Sequence, residues 1–189
     1  MADLTLYTNP MSRGRIARWM IEETGQPYDT VILPFGAAMK SAQYRAVNPM
    51  GKVPAVRHGD VVVTECAAIC AYLADTFPEA RLAPPGPQRG SYYRWLFFAA
   101  GPLEAAVSNR SLGFEVSEER RRMIGYGRFE DVMDTLEIAV STNPFIAGQA
   151  FTAADVYVGS HIGWGLQFGS IERRPAFETY FARVSDRPA

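Results

Sequence analysis

The hydrophobic pattern of residues 1–80 alternates between strand-like and helix-like periods. Short runs of alternating or β-branched residues predict strands, whereas apolar residues spaced three and four apart predict helices. The predicted elements are a strand at Leu4–Tyr7, a helix over Ile16–Ile21 that ends at Gly25, a strand at Tyr28–Leu33, a helix from Ala37, strands at Val53–Val56 and Val61–Val63, and a helix from Cys66. This order, βαβαββα, with a proline before the third strand predicts a thioredoxin-like domain.

The rest of the chain shows only helical periodicity. Residues 83–87 contain three prolines and cannot lie inside a helix, so this stretch predicts a linker. Helical patterns follow at Arg89–Leu112, with a bend expected at Gly101-Pro102, from Ser117 to about Val140, at Val156–Phe168 and at Arg174–Val184. We therefore predict an α/β plus all-α protein: a thioredoxin-like domain at 1–80, a linker at 81–88 and an all-helical domain at 89–189.

A capping pattern precedes the most apolar helix of the second half. Thr152 stands three residues before Asp155, which matches an acidic form of the capping box. The helix that follows is apolar at most positions, which predicts a central place in the helical domain. We interpret Thr152 and Asp155 as folding residues and not as catalytic ones.

Composition and charge indicate a globular protein and give no sign of a nucleic-acid or membrane partner. The 189 residues are 48% hydrophobic, which is enough for a packed core, and they carry a formal net charge of −1. This charge indicates neither a nucleic-acid nor a membrane partner, and no apolar run reaches the length of a membrane span. Cys66 and Cys70 are too few for a disulfide scaffold and no signal peptide is visible, so we expect a cytoplasmic protein. His58 and His161 lack partners at ligand spacing, and no metal is expected.

The stretch Asn48–Leu73 combines a proline-containing strand with a helix start. Pro54 lies within an apolar run although proline cannot donate to a sheet, so we expect either an edge strand or a cis Val53–Pro54 bond. The helix that begins near Glu65 and Cys66 offers unpaired N–H groups to a carboxylate. A backbone turned outward at Val53 would pair with an extended peptide. Together these features predict a corner that binds a peptide and an anion.

At these residues the sequence resembles the glutathione transferase superfamily, as a bacterial-type cytosolic member. The Val53-Pro54 and Glu65-Cys66 pairs match the family's Val-Pro and Glu-Ser pairs, except that cysteine replaces serine. The resemblance implies that Val53, beside a cis Pro54, holds the cysteinyl part of glutathione. It implies that Glu65 and Cys66 hold the γ-glutamyl end and that Lys52 lies near the glycyl carboxylate. It also implies glutathione as co-substrate, a small hydrophobic electrophile as second substrate, and a homodimer.

The implied reaction needs a hydrogen-bond donor aimed at the glutathione sulfur. Three residues near the end of the first strand are candidates: Ser12, Tyr7 and Asn9. Ser12 is preferred, because the serine-type classes place their donor just before the first helix; otherwise it caps that helix. Tyr7 falls at the catalytic tyrosine of the tyrosine-type classes, yet it ends a strand, where a buried tyrosine is common. Asn9 is otherwise a turn residue.

One substitution leaves the chemistry open. Cys66 is a thiol at a helix start, which could form a mixed disulfide with glutathione or serve only as a small residue that makes the same backbone contact. We predict a glutathione S-transferase that promotes attack of the glutathione thiolate on an electrophile or peroxide. The alternatives are a non-catalytic binding or regulatory protein and a glutathione-dependent reductase or isomerase on the same fold.

Overall fold

The chain divides into two structural units, one up to Ala83 and one from Pro84 to Pro188. The computed structural model describes residues 3–188. The boundary between the units falls inside the predicted linker at 81–88, where prolines interrupt helix formation.

The first unit is a four-stranded mixed sheet with helices. Its elements are β1 (Leu4–Thr8), α1 (Gly14–Thr24), β2 (Tyr28–Ile32), α2 (Ala37–Lys40), α3 (Ala42–Arg45), β3 (Ala55–His58), β4 (Val61–Thr64) and α4 (Cys66–Thr76), with a 3₁₀ turn at Pro78–Ala80. The strand order is β2-β1-β3-β4, in which β1 and β2 are parallel and the other neighbours antiparallel. The predicted thioredoxin-like arrangement is confirmed. Its second helix is divided into α2 and α3 because Ser41 is extended and its hydroxyl caps α3.

Alternation along β1 separates the core of the first unit from the face that carries the candidate site. Leu4 and Leu6 are buried, whereas Thr5 and Tyr7 are half-buried on the opposite face. On that face the ring of Tyr7 lies against the ring of Tyr44 from α3, with 5.8 Å between the ring centroids. The polar residues that follow β1 therefore leave the sheet next to α3.

The second unit is helical, as predicted. It contains a 3₁₀ turn at Gly86–Gln88, α5 (Arg89–Phe98), a π-helical segment at Ala99–Leu103, α6 (Glu104–Ser111), a 3₁₀ segment at Glu118–Met123, α7 (Phe129–Thr142), α8 (Ala153–Phe168) and α9 (Pro175–Ser185). Within residues 84–188 the β-structure is one isolated bridge between Phe145 and Gly148. The interruption expected at Gly101-Pro102 takes the form of the π-helical segment, since Pro102 has no N–H to donate.

The prediction of one helix from Ser117 to about Val140 is wrong. The segment forms a 3₁₀ turn at Glu118–Met123, leaves helical geometry, and resumes as α7 at Phe129. Gly127 has a φ of +68°, which a continuous right-handed helix does not allow. Ile124 and Arg128 are extended as well, so the stretch is divided into two elements by a non-helical segment that contains Gly127.

The buried helix α8 begins with the predicted capping box. The side chains of Thr152 and Asp155 each bond the other residue's backbone N–H, and both residues are buried. Asp155 also accepts hydrogen bonds from the Ile146 N–H at 2.7 Å and from the Tyr180 hydroxyl at 2.8 Å. The carboxylate therefore joins α8 to α9 and to the preceding loop. Among residues 3–188, no helix is long and apolar enough to cross a bilayer.

Candidate functional site

The register of the sheet brings three loop segments to the same end of the first unit. Tyr7 of β1 pairs with Ala55 of β3, and Ala55 pairs with Thr64 of β4. Because neighbouring strands lie about 4.8 Å apart, these three residues form a row about 10 Å long. The loop after β1, the residues before β3 and the residues after β4 therefore meet at one edge, and every candidate residue of the sequence analysis lies in one of these segments or beside it.

Val53 presents an unpaired backbone at this edge. The Val53–Pro54 bond is cis, as expected, and Pro54 is buried while Val53 is half-buried. Within residues 3–188, neither the N–H nor the C=O of Val53 has a hydrogen-bond partner. An extended peptide would satisfy both groups, as an added strand does at a sheet edge.

The loop that leads to Val53 is held from α2 and α3. Lys40 Nζ lies 2.9 Å from the carbonyl oxygens of both Met50 and Gly51. The Tyr44 hydroxyl and the Asn48 side-chain amide each donate to the Lys52 carbonyl at 2.7 Å. Burial raises the pKa of Tyr44 to about 12, so the phenol keeps its proton at neutral pH.

The loop requires glycine at position 51, because the backbone there lies close to the backbone of α2. Gly51 has a φ of +58°, and a Cβ atom there would lie 2.4 Å from the Met39 carbonyl oxygen. The loop therefore packs directly against the backbone of α2. Lys52, the next residue, has an exposed side chain whose ammonium group makes no ion pair within residues 3–188.

Glu65 occupies the cap position of α4 in an uncommon backbone conformation. Its φ is +66°, a region that non-glycine residues adopt at a cost of about 1–3 kcal/mol and chiefly at functional sites. The side chain is exposed and does not cap the helix. In the described part of the chain the carboxylate has no hydrogen-bond or ion-pair partner. The first N–H groups of α4 and a free carboxylate therefore lie side by side at the edge.

Cys66 connects the start of α4 to the loop before α1. Its side chain is 8% exposed, and the thiol donates to the Arg13 carbonyl oxygen at 3.5 Å. This burial favours the role of a small backbone-contact residue over that of a disulfide-forming thiol. Cys70 is fully buried, and burial raises the pKa of its thiol well above the ordinary value, with Cys66 adding to the rise. Cys70 is a core residue.

Two of the three candidate donors, Ser12 and Asn9, already form side-chain hydrogen bonds to the backbone around the loop after β1. The Ser12 hydroxyl donates to the Asn9 carbonyl at 2.7 Å and accepts from the Gly14 N–H at 3.0 Å. The Asn9 side chain donates to the Leu33 carbonyl and accepts from the Met11 N–H, both at 2.9 Å. Ser12 thus sits at the entrance of α1 without being its cap residue, and Asn9 ties the loop to the end of β2.

Tyr7 is the third candidate. Its half-buried ring packs on Tyr44, and its hydroxyl has no hydrogen-bond partner among residues 3–188. Its phenolic proton is therefore free to be donated, in contrast to that of Ser12.

Sequence reasoning missed the residues that support the loop before Val53. Tyr44 and Lys40 lie in the segment with the weakest pattern, and nothing local indicates that their side chains reach loop carbonyls. The ring of His58, at the end of β3, lies 2.9 Å from the Tyr72 hydroxyl and 3.2 Å from the Asp3 carboxylate. Among residues 3–188 there is no group of three or more side chains arranged to hold a metal ion.

The sequence is similar to members of one protein family. Residues 2–75 match the family model for the N-terminal domain of glutathione S-transferase. The glutathione S-transferase GstA of Escherichia coli O157:H7 is 30% identical over 152 residues, which cover 77% of this chain and 73% of that protein.

Two solved structures resemble the whole chain. A glutathione transferase from Methylococcus capsulatus superposes with a TM-score of 0.80 at 26% identity, covering 98% of this chain and 94% of that one. A glutathione transferase homologue from Sulfitobacter, solved with bound glutathione, has a TM-score of 0.77 at 26% identity and covers 100% and 95% of the two chains. Their likeness extends over both units.

Proposed function

The chain belongs to the glutathione S-transferase family, and from that premise we propose that it binds glutathione at the edge of the first unit and promotes attack of the glutathione thiolate on an electrophile. The observation that carries this proposal is the free N–H and C=O of Val53 beside the open start of α4. Glutathione bound to a structural relative is consistent with it. We propose a small hydrophobic electrophile as second substrate and a homodimer as the assembly.

The charges at the edge complement those of the tripeptide. Glutathione carries an ammonium and a carboxylate at its γ-glutamyl end and a second carboxylate at its glycyl end. The Glu65 carboxylate would bind the ammonium group, and the N–H groups at the start of α4, with Cys66, would bind the neighbouring carboxylate. The exposed ammonium of Lys52 would face the glycyl carboxylate. Between the two ends, the backbone of Val53 beside Pro54 would pair with the cysteinyl residue.

Catalysis requires that the bound thiol lose its proton near neutral pH. A free thiol has a pKa of about 8.5, and lowering it by about two units corresponds to roughly 2.7 kcal/mol of thiolate stabilisation. We propose Ser12 as the donor to the thiolate, because its oxygen accepts the Gly14 N–H and its own O–H is thereby polarised. To donate to sulfur the hydroxyl must turn away from the Asn9 carbonyl. Tyr7, whose hydroxyl is free in the described chain, is the second candidate, and Asn9 the third.

A conjugation assay with an electrophilic aromatic substrate tests the activity and the donor together. We expect Ser12→Ala to lower kcat/KM by about tenfold to a hundredfold, the loss that corresponds to a charge-assisted hydrogen bond. Tyr7→Phe is expected to retain most of the activity. The matched control is Ser91→Ala, which removes an exposed hydroxyl from α5. If Ser12→Ala turns over like Ser91→Ala while Tyr7→Phe is inactive, the donor is Tyr7.

One observation favours a second function, that of a glutathione-binding protein without transferase activity. The proton of the preferred donor, Ser12, is already taken by a backbone carbonyl, and the amide of Asn9 is also engaged. Retention on immobilised glutathione separates the two functions. Binding without turnover supports the non-catalytic protein, and turnover of a disulfide substrate in place of an electrophile would support a reductase.

A further inference from the structure

The three carbonyl groups that precede Val53 are all held by side chains of α2, α3 and the loop itself. Lys40 contacts the carbonyls of Met50 and Gly51, each at 2.9 Å. The Lys52 carbonyl accepts from two donors, the Tyr44 hydroxyl and the Asn48 amide, each at 2.7 Å. A loop carbonyl at the surface would ordinarily be satisfied by water, so two protein donors on one oxygen constrain its direction.

The direction of the Lys52 carbonyl determines that of the Val53 N–H. Val53–Pro54 is the one cis bond of the described chain, so the Lys52–Val53 bond is trans. In a planar trans peptide the C=O and the N–H point in opposite directions. With the carbonyl turned toward α3, the N–H of Val53 points away from it, and within residues 3–188 it has no acceptor.

We propose that Tyr44 is a positioning residue for glutathione: its hydroxyl holds the Lys52 carbonyl and thereby aims the Val53 N–H at the cysteinyl carbonyl of the tripeptide. This inference rests on the proposed function and deepens it. The two hydrogen bonds to the carbonyl also polarise the peptide group, which makes its N–H a stronger donor. Tyr44 acts through the peptide group of Lys52 and Val53 and does not itself touch glutathione.

The oxygen of Tyr44 has no evident packing role. The residue is 3% exposed, and its ring packs against Tyr7, a contact that phenylalanine would preserve. The side-chain oxygen is what phenylalanine lacks, and its acceptor is the Lys52 carbonyl. Tyr44→Phe therefore removes one oxygen atom, with its hydrogen bond to the Lys52 carbonyl and its contact with the Asn48 side chain, while the ring stays in place.

Titration calorimetry with glutathione tests the proposal on the full chain. We expect Tyr44→Phe to raise the dissociation constant by about threefold to tenfold, the range for one hydrogen bond, and to leave kcat at saturating glutathione within about twofold of wild type. Tyr28→Phe is the matched control, because it removes a hydroxyl that bonds Glu22 in the same unit but away from the edge. It is expected to bind like wild type. Equal affinities for the two variants would overturn the proposal.

A second variant and a ligand-free readout separate this proposal from the proposed function. Asn48→Ala removes the other donor, and the double variant with Tyr44→Phe should lose more affinity than the product of the single losses, because no side chain then holds the carbonyl. In ¹⁵N spectra without glutathione, the Val53 amide should shift in Tyr44→Phe and not in Tyr28→Phe. If wild type itself fails to bind glutathione, the proposed function fails. An unshifted Val53 amide in Tyr44→Phe refutes the positioning role whether or not glutathione binds.

Discussion

Helices α4 and α8 each carry an acidic side chain at or near their start, and the two carboxylates have opposite surroundings. At α8, Asp155 is fully buried and accepts four hydrogen bonds, from the N–H and hydroxyl of Thr152, the Ile146 N–H and the Tyr180 hydroxyl. At α4, Glu65 is exposed, has a positive φ, and has no partner within residues 3–188. Glu65 is the cap residue of α4 and Asp155 the third residue of α8, so a carboxylate near a helix start is enclosed by its own chain in one unit and exposed in the other.

The difference shows how to separate folding residues from ligand-binding residues at helix starts. A carboxylate that is enclosed by donors of its own chain has no capacity left for a ligand. A carboxylate held outward by a strained backbone, with no internal partner, retains that capacity, and the strain needs a reason. By this criterion Asp155 is a core residue, and Glu65 is proposed as a residue that binds glutathione.

The largest expected effect is the loss of the Asp155 carboxylate. Asp155→Ala leaves two buried backbone N–H groups and the Tyr180 hydroxyl without their acceptor. We expect the free energy of unfolding to fall by about 3–4 kcal/mol, because each buried unsatisfied donor is costly. Urea unfolding followed by circular dichroism measures it.

Asp131→Ala is the matched control for this prediction. Asp131 also lies in the first turn of a helix, α7, but it is exposed. We expect its removal to change the free energy of unfolding by no more than about 1 kcal/mol, the usual contribution of an acidic residue to a helix dipole. Equal losses for the two variants would mean that enclosure does not distinguish them.

The second effect concerns binding and not stability. Glu65→Gln keeps the size of the side chain but removes the charge that would bind the γ-glutamyl ammonium group. We expect the glutathione dissociation constant to rise by about tenfold to a hundredfold, with the free energy of unfolding within about 0.5 kcal/mol of wild type. Glu79→Gln, an exposed glutamate of the same unit, should leave binding unchanged. A large loss of stability in Glu65→Gln would place Glu65 with Asp155 as a folding residue.

The smallest expected effect is the pH dependence that Asp155 gives to the free energy of unfolding. Burial raises the pKa of this carboxyl above its ordinary value of 3.8, although its four donors oppose the rise. The folded state then binds the proton more tightly than the unfolded state. The contribution of Asp155 protonation to the free energy of unfolding is therefore fully present below the unfolded-state pKa. It is lost as pH rises through the folded-state pKa. The advantage of wild type over Asp155→Asn should therefore shrink as pH rises from about 3.8; an advantage that grows would show that the donors outweigh burial.

Local sequence patterns predicted much of this molecule because they report short-range physics. The Thr152–Asp155 capping box follows from residues three apart on one turn of helix, and it is confirmed. The cis bond at Val53–Pro54 is one of the two outcomes that the conflict between proline and a strand-like run allowed, and the one that the family resemblance implied. The order of strands and helices in the first unit follows from the period of apolar residues.

Patterns failed where one residue or a distant contact decided the outcome. A non-helical segment from Ile124 to Arg128, with Gly127 at positive φ, divides a stretch whose apolar spacing suits one continuous helix. The sequence predicts that the Ser12 hydroxyl donates to the glutathione sulfur, yet in the folded loop it donates to the Asn9 carbonyl. Tyr44 gives no local signal at all, since its hydrogen bond to Lys52 depends on how α3 packs against the loop.

The sequence by itself determined the fold class, the proline-bent segment at Val53, and the presence of an acid at each of two helix starts, because each depends on residues close together in the chain. Only the tertiary structure decided what those acids face. Enclosure of Asp155 requires Tyr180, from a helix that begins twenty residues later, and exposure of Glu65 depends on how β4 meets α4. Whether a carboxylate is surrounded by hydrogen-bond donors or exposed to solvent depends on where its neighbours pack, and that is settled only when the chain is folded.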